Sequence, residues 1–299
     1  MARVLVTGVD GFTGRFLAPL LASQGDEVHG LVQQETAVEG VAHVHVADLR
    51  SAEQVARAVS VARPQRVVHL AGIAFVANRD MEAMYGVNLL GTRHLLEALC
   101  GLSSLPERTL LASSANVYGN AALEAVGEDA PAAPTNDYAV SKLAMEFLCR
   151  LYASRLSMTI CRPFNYTGVG QSESFLLPKI AGHVRRGAAW IELGNVDVAR
   201  DFSDVRNVCD IYARLLTEPA AAGRTVNICS GAVHTLREVL DMVEVLSGRR
   251  LEVRTNPDLV RANEVKCLRG DRSLLDTLLP SRLDPITLFD TLRWMIDAR

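Results

Sequence analysis

The run Arg3-Val4-Leu5-Val6 leads straight into Thr7-Gly8-Val9-Asp10-Gly11-Phe12-Thr13-Gly14. A buried strand that breaks into a glycine-rich turn and then a helix limits the fold more than any other stretch. It lets a pyrophosphate approach backbone N–H groups at a helix N-terminus. The spacing is GxxGxxG, one residue longer than the common dehydrogenase fingerprint. Beyond it, apolar runs at 27–32, 41–47, 66–71 and 109–112 read as strands, and 81–99 and 137–156 read as helices. That alternation predicts an α/β fold, a Rossmann-type doubly wound parallel sheet. The helix after the glycine loop carries Pro19 in its interior, so a bend is expected there.

With 299 residues, 49% of them hydrophobic, the chain can build one large α/β domain and a smaller one. A net charge of -3 leaves no basic footprint, so nucleic acid and anionic membranes are not expected partners. No run approaches the roughly 20 apolar residues of a membrane span, and the chain enters a strand at once, so no signal peptide is expected. Cys100, Cys149, Cys161, Cys209, Cys229 and Cys267 show no CxxC or regular spacing. They read as reduced thiols of a cytoplasmic protein, with neither disulfides nor a metal site expected.

The chemistry concentrates on Tyr138-Ala139-Val140-Ser141-Lys142. Tyrosine and lysine four apart share a helical face. A free tyrosine has a pKa of about 10; an ammonium one turn away favours the phenolate and lowers it. Such a pair trades a proton with an alcohol or carbonyl oxygen while a cofactor trades a hydride with the same carbon. Ser113-Ser114 leaves the carboxyl end of the fifth strand, where ligands of open parallel sheets gather, so a hydroxyl there can face the same carbon. The second strand ends Gln33-Gln34 with no carboxylate before Glu35, and Arg15 follows the glycine loop. Nothing there repels a ribose phosphate. That favours NADP, with NAD as the alternative, although Arg15 reads equally well as a solvated helix residue. Asp48-Leu49 suits an adenine contact, and Asp48 also reads as the N-cap of the next helix. His69 reads as a satisfied core histidine before Leu70-Ala71-Gly72, whose small residues suit a passing cofactor. Asn88 ties strand to helix or touches Lys142 through water; the structural role is favoured.

Taken together, Thr7 to Gly14, His69 to Gly72, Ser113 to Gly119, Tyr138 to Lys142, Arg162-Pro163-Phe164-Asn165 and Arg200-Asp201-Phe202 resemble the extended short-chain dehydrogenase/reductase family acting on nucleotide-sugars. The stretches Val226 to Gly231, Asn256 to Glu264 and Leu268 to Asp271 are similar to its branch handling GDP-sugars. The resemblance implies reduction of the 4-keto group of a GDP-linked 4-keto-6-deoxy sugar, GDP-4-dehydro-6-deoxy-D-mannose, to GDP-D-rhamnose. By it Tyr138 donates the proton, Lys142 tunes Tyr138 and binds the nicotinamide ribose, and Ser114 holds the same oxygen, Ser113 being its rival. Gly8, Gly11, Phe12 and Gly14 fall in the pyrophosphate loop, and Asn165, Lys179, Arg200, Arg261 and Glu264 fall where the family holds the nucleotide-sugar.

Dehydratases of the family need a carboxylic acid beside the catalytic hydroxyl, and here Ala115 and Asn116 follow Ser114. The family's epimerase-reductases place a cysteine and a histidine where this chain has Asn116 and Phe175. Hydride transfer at one carbon remains. The alternatives are a nucleotide-sugar 4-epimerase, which uses the same three residues and recycles its cofactor, and a non-catalytic cofactor-binding protein, against which the intact triad argues. Residues 1–165 are expected to form the cofactor domain, with about 201–231 returning to it, and 166–299 the nucleotide-sugar domain. Residues 202–216 are expected as a helix. Relatives of the family imply a homodimer through a four-helix bundle of the 81–99 helix and the tyrosine helix, whose Leu143, Phe147, Leu148 and Leu151 are apolar.

Overall fold

A computed structural model describes residues 1–74, 80–121, 124–260, 266–281 and 285–298. Six strands follow in order: β1 (Arg3–Thr7), β2 (Glu27–Val32), β3 (His43–Val46), β4 (Arg66–His69), β5 (Arg108–Ala112) and β6 (Met158–Pro163). The chain then leaves the sheet for β7 (Asn165–Thr167), β8 (Trp190–Leu193) and β9 (Ala199–Asp204), and β10 (Thr225–Ile228) returns to it. The resulting seven-stranded sheet has the order β10-β6-β5-β4-β1-β2-β3, parallel throughout.

Side chains alternate between the two faces of each strand, and both faces are covered. Val4, Val6 and Val28 pack under α1 (Gly14–Ser23) and a later helix, Val205–Leu215. Leu5, Leu31, Val67 and Leu111 pack under α2 (Ala52–Ala62) and the helices Thr92–Cys100 and Asp137–Arg150. Parallel sheets need this double cover, which explains the near-continuous apolar runs of β1 and β4. Beyond the carboxyl ends lies a smaller assembly. There β9 pairs with β7, with Val233–Thr235 and with Cys267–Leu268, and β8 pairs with Glu252–Thr255. Its core holds Leu177, Ile180, Val239 and Leu292.

Local expectations needed correction in four places. The 81–99 helix is in fact a short α3 (Met81–Tyr85), a π-helical turn Gly86–Gly91 and α4 (Thr92–Cys100). The wide turn admits Asn88, buried and fully bonded. The tyrosine helix, α5 (Asp137–Arg150), ends in turns rather than running on to 156. Residues 202–204 belong to strand β9, because the Asp204 side chain caps the following helix by accepting from the Arg206 N–H. Asp48 is not the cap of α2. Ser51 is, and Asp48 binds Arg50. α1 is continuous as a helix across Pro19. Among the described residues, no helix is long and apolar enough to cross a membrane.

Helix α5 starts where it does because the Asn136 side chain accepts from the Ala139 N–H. Caps of this kind contribute about 1 kcal/mol. Asn136→Ala is therefore expected to lower the unfolding free energy by about that amount, read as a shift in the denaturant midpoint at constant slope.

Candidate active site

The strand order reverses beside β1, which has β2 on one side and β4 on the other. Loops leaving the carboxyl ends diverge at such a point and open a crevice. A cavity of about 1100 Å³ lies there, running from the glycine loop past Tyr138 to Arg200 on β9.

One end is a backbone cradle. Gly8 has φ +65°, in the left-handed region, and a Cβ on it would stand 2.8 Å from the Cα of Ala71. A Cβ on Gly14 would strike the Val9 carbonyl oxygen. Gly11 and Phe12 complete the lining, with Leu70, Ala71 and Gly72 opposite. The loop is thus pressed between β1 and β4 with its helix N-terminus open to the cavity, which fits a dinucleotide's pyrophosphate. Further along stand Gln33, Asp48, Leu49 and Arg50. Arg50 is a cation that sequence reasoning missed; its only signal was a position two residues after Asp48, whose carboxylate it meets at 2.6 Å. Arg15, by contrast, is exposed and donates to the Asp10 carbonyl at 2.8 Å. It does not line the cavity, because the first turn of α1 points it outward.

At the centre, Tyr138, Lys142 and Glu146 lie one turn apart along α5, and all three are buried. Tyr138 and Ser114 both line the cavity, near enough for the Ser114 hydroxyl to favour the phenolate of Tyr138, and Ser114 Oγ accepts from the Asn116 N–H at 3.1 Å. The Ser113 hydroxyl instead donates to Glu146, so the two adjacent serines serve different neighbours. Glu146 is held by Arg162 in a two-pronged pair, Nη2 to Oε2 at 2.6 Å and Nε to Oε1 at 2.9 Å. Arg162 also donates to the Tyr118 hydroxyl, which donates to Asn227. Burial works against the Arg162 charge, but the Glu146 contacts outweigh it and its pKa moves up.

The expected depression of Tyr138 by Lys142 is not what the structure shows. Burial pushes the phenol up to about 12, with the Ser114 hydroxyl opposing. The Lys142 ammonium donates to the Ala112 carbonyl at 2.8 Å, and burial lowers its pKa to about 8. Desolvation is the leading cause for both groups.

His69 is a satisfied core residue. Its Nδ1 meets the Thr7 hydroxyl at 2.7 Å and its Nε2 the Thr92 hydroxyl at 2.9 Å, and burial brings its pKa down to about 3. Asn88 accepts from the Ile73 N–H and donates to the Ile73 carbonyl and the Ser141 hydroxyl. It does not line the cavity. Its work is to hold the loop after β4 against α5.

At the far end Asn165, Lys179 and Arg200 line the wall. Lys179 donates to the Glu192 carbonyl at 2.6 Å, and Arg200 to the carbonyls of Ala199 and Lys266. Asn116 and Phe175 stand in the same lining. Arg261 and Glu264 lie outside the described residues.

Known proteins carry the same frame. The GDP-mannose 4,6 dehydratase family model matches residues 5–279. GDP-6-deoxy-D-talose 4-dehydrogenase of Aggregatibacter actinomycetemcomitans is 32% identical over 93% of this chain and 91% of its own. GDP-6-deoxy-D-mannose reductase of Pseudomonas aeruginosa is 34% identical over 91% and 89%. Among solved structures, a candidate epimerase from Burkholderia cenocepacia J2315 is 46% identical, with a TM-score of 0.91 over 99% of this chain and 97% of that one. RMD from Pseudomonas aeruginosa complexed with NADPH is 32% identical, with a TM-score of 0.84 over 99% and 98%.

Proposed function

We propose that this chain, which belongs to the extended short-chain dehydrogenase/reductase family of nucleotide-sugar enzymes, reduces the 4-keto group of GDP-4-dehydro-6-deoxy-D-mannose to GDP-D-rhamnose. The family makes it an NAD(P)-dependent oxidoreductase; the particular sugar and the preference for NADPH are the proposal. The observation that carries it is the gathering of Ser114, Tyr138 and Lys142 in one cavity, on a wall that elsewhere offers Asn116 and Phe175. Neither of these can move a proton at a second carbon, so dehydration and epimerisation at the third and fifth carbons lack their acid and base.

When bound, NAD(P)H supplies the hydride to the fourth carbon of the sugar. Gly8, Gly11 and Gly14 would hold its pyrophosphate, and Lys142 its nicotinamide ribose. Tyr138 keeps its proton through the neutral range because burial raises its pKa, which suits a proton donor to the nascent alkoxide. Ser114 holds the carbonyl oxygen by a hydrogen bond that strengthens as charge develops on it. Asn165, Lys179 and Arg200, which line the cavity, would take the nucleoside diphosphate, with Arg261 and Glu264 as further contacts in the proposal. Arg50, paired with Asp48, is a cation lining the adenosine side of the cavity and supports NADPH over NADH.

The two GDP-sugar relatives support both the guanine nucleotide and chemistry at the fourth carbon. They differ in the configuration there, since talose and mannose are epimers at that carbon, so the 6-deoxytalose product is the near alternative. The 46% identity to a candidate epimerase favours a second reading, a 4-epimerase that recycles its cofactor. A homodimer belongs to the proposal too: Leu90, Val140, Phe147 and Leu151 are exposed apolar residues on or beside the helices that would form the bundle. The test mixes purified protein with GDP-4-dehydro-6-deoxy-D-mannose and either NADPH or NADH. One reduced cofactor consumed per GDP-D-rhamnose formed is expected, with NADPH faster; consumption of neither refutes the reading.

A further inference from the structure

At the opposite end of the sheet from the cavity, β2 and β3 begin side by side, with β3 on the open edge. The parallel register sets His29 beside His43 and Leu31 beside His45. Since side chains alternate along a strand, Glu27, His29, His43 and His45 project from one face. Glu27 Oε1 lies 3.3 Å from His29 Nε2 and 3.1 Å from His43 Nε2, and the three ligand atoms fall within 4.8 Å of one another.

We propose that Glu27, His29 and His43 form a binding site for a divalent transition-metal ion of the zinc type, separate from the active site, that clamps the edge strand β3 to β2. Three features support it. An ion bound at about 2.0–2.1 Å by tetrahedral ligands holds them about 3.3 Å apart, and both contacts to the glutamate oxygen are near that spacing. The second feature is orientation. His29 is buried, and its other nitrogen, Nδ1, lies 2.9 Å from His45 Nε2, with the two rings stacked at 7°. Ligating imidazoles characteristically have their second nitrogen fixed in this way, which sets the ring and the tautomer. His45 is thus a positioning residue, not a ligand.

The third feature is access. The His43 side chain is 56% exposed, leaving a path for the ion and room for water at the remaining position. Two imidazoles and one carboxylate suit zinc, nickel, copper or cobalt, not magnesium or calcium, which take oxygen ligands. Arg3 is the opposing charge, and its Nε is engaged by the Arg63 carbonyl.

The test is calorimetric titration of the tag-free protein with Zn²⁺, alongside its melting temperature with and without the ion. One site per chain and an upward shift in melting temperature are expected, with no response to Mg²⁺. His43→Ala, at an exposed position, and Glu27→Gln, at a half-buried one, should each weaken Zn²⁺ binding by about tenfold or more and abolish the shift, while His45→Ala should weaken it by about 10–100-fold. Cys267→Ser, which removes the exposed thiol among the described residues, should change nothing. Absence of saturable binding, binding that survives both His43→Ala and Glu27→Gln, or binding lost in Cys267→Ser would overturn the site.

Discussion

Tyr138→Phe is expected to lower kcat by about 10²–10⁴-fold, the usual share of general acid catalysis, while the affinity for NADPH changes less than about twofold. The substitution removes one oxygen and keeps the ring, so the packing of α5 is preserved. What it removes is the proton. Without it the alkoxide must take a proton from water in a cavity whose centre is buried. The substitution leaves the glycine cradle and Lys142 in place, so cofactor affinity should hold. Stopped-flow turnover with fluorescence titration of NADPH reads both quantities. The pH profile carries a second sign. Lys142 is a base whose pKa is lowered to about 8 by burial, so its ammonium is present below that value and lost above it. The free-enzyme profile, kcat/KM, should therefore fall as pH rises through about 8. Unchanged turnover in Tyr138→Phe would sink the mechanism.

The largest stability effect is expected at Glu146. Its carboxylate receives two Arg162 contacts and the Ser113 hydroxyl, all buried. Such a pair adds little net stability when intact, because desolvation of both charges offsets their attraction. Removing one partner, however, strands the other charge. Glu146→Ala should therefore cost about 3–5 kcal/mol, a fall in melting temperature on the order of 10 °C. Replacing both Glu146 and Arg162 with apolar residues of similar volume should cost less than Glu146→Ala alone, since no charge is then left unpaired. Glu146 acts through Ser113 and α5, not on substrate. A stabilised background carrying Glu146→Gln should accordingly lose activity less than Tyr138→Phe does.

The sequence was legible where physics is local. Strand, glycine loop and helix are a contiguous signal, and the Tyr138 and Lys142 spacing places both on one face whatever surrounds them. Legibility failed where a partner far along the chain decides. Residues 202–204 look helical in isolation, but β9 pairs them with Asn165–Thr167. The 81–99 pattern runs on as one amphipathic helix, and nothing in it reports that Asn88, inside the π turn, is bonded to Ile73 and Ser141. The Tyr138 pKa depended on burial, which spacing cannot report. His43-Val44-His45 shows the same limit. As sequence it is two histidines alternating on a short strand, and only the register against β2 sets them beside Glu27 and His29.

The most direct measurement uses NADPH carrying deuterium at the transferring position of the nicotinamide, mixed with purified protein and GDP-4-dehydro-6-deoxy-D-mannose, with the product read by NMR. A reductase places one deuterium on the fourth carbon of the sugar, in the configuration of GDP-D-rhamnose. Product without label at that carbon, or a sugar epimerised with no loss of reduced cofactor, would contradict it.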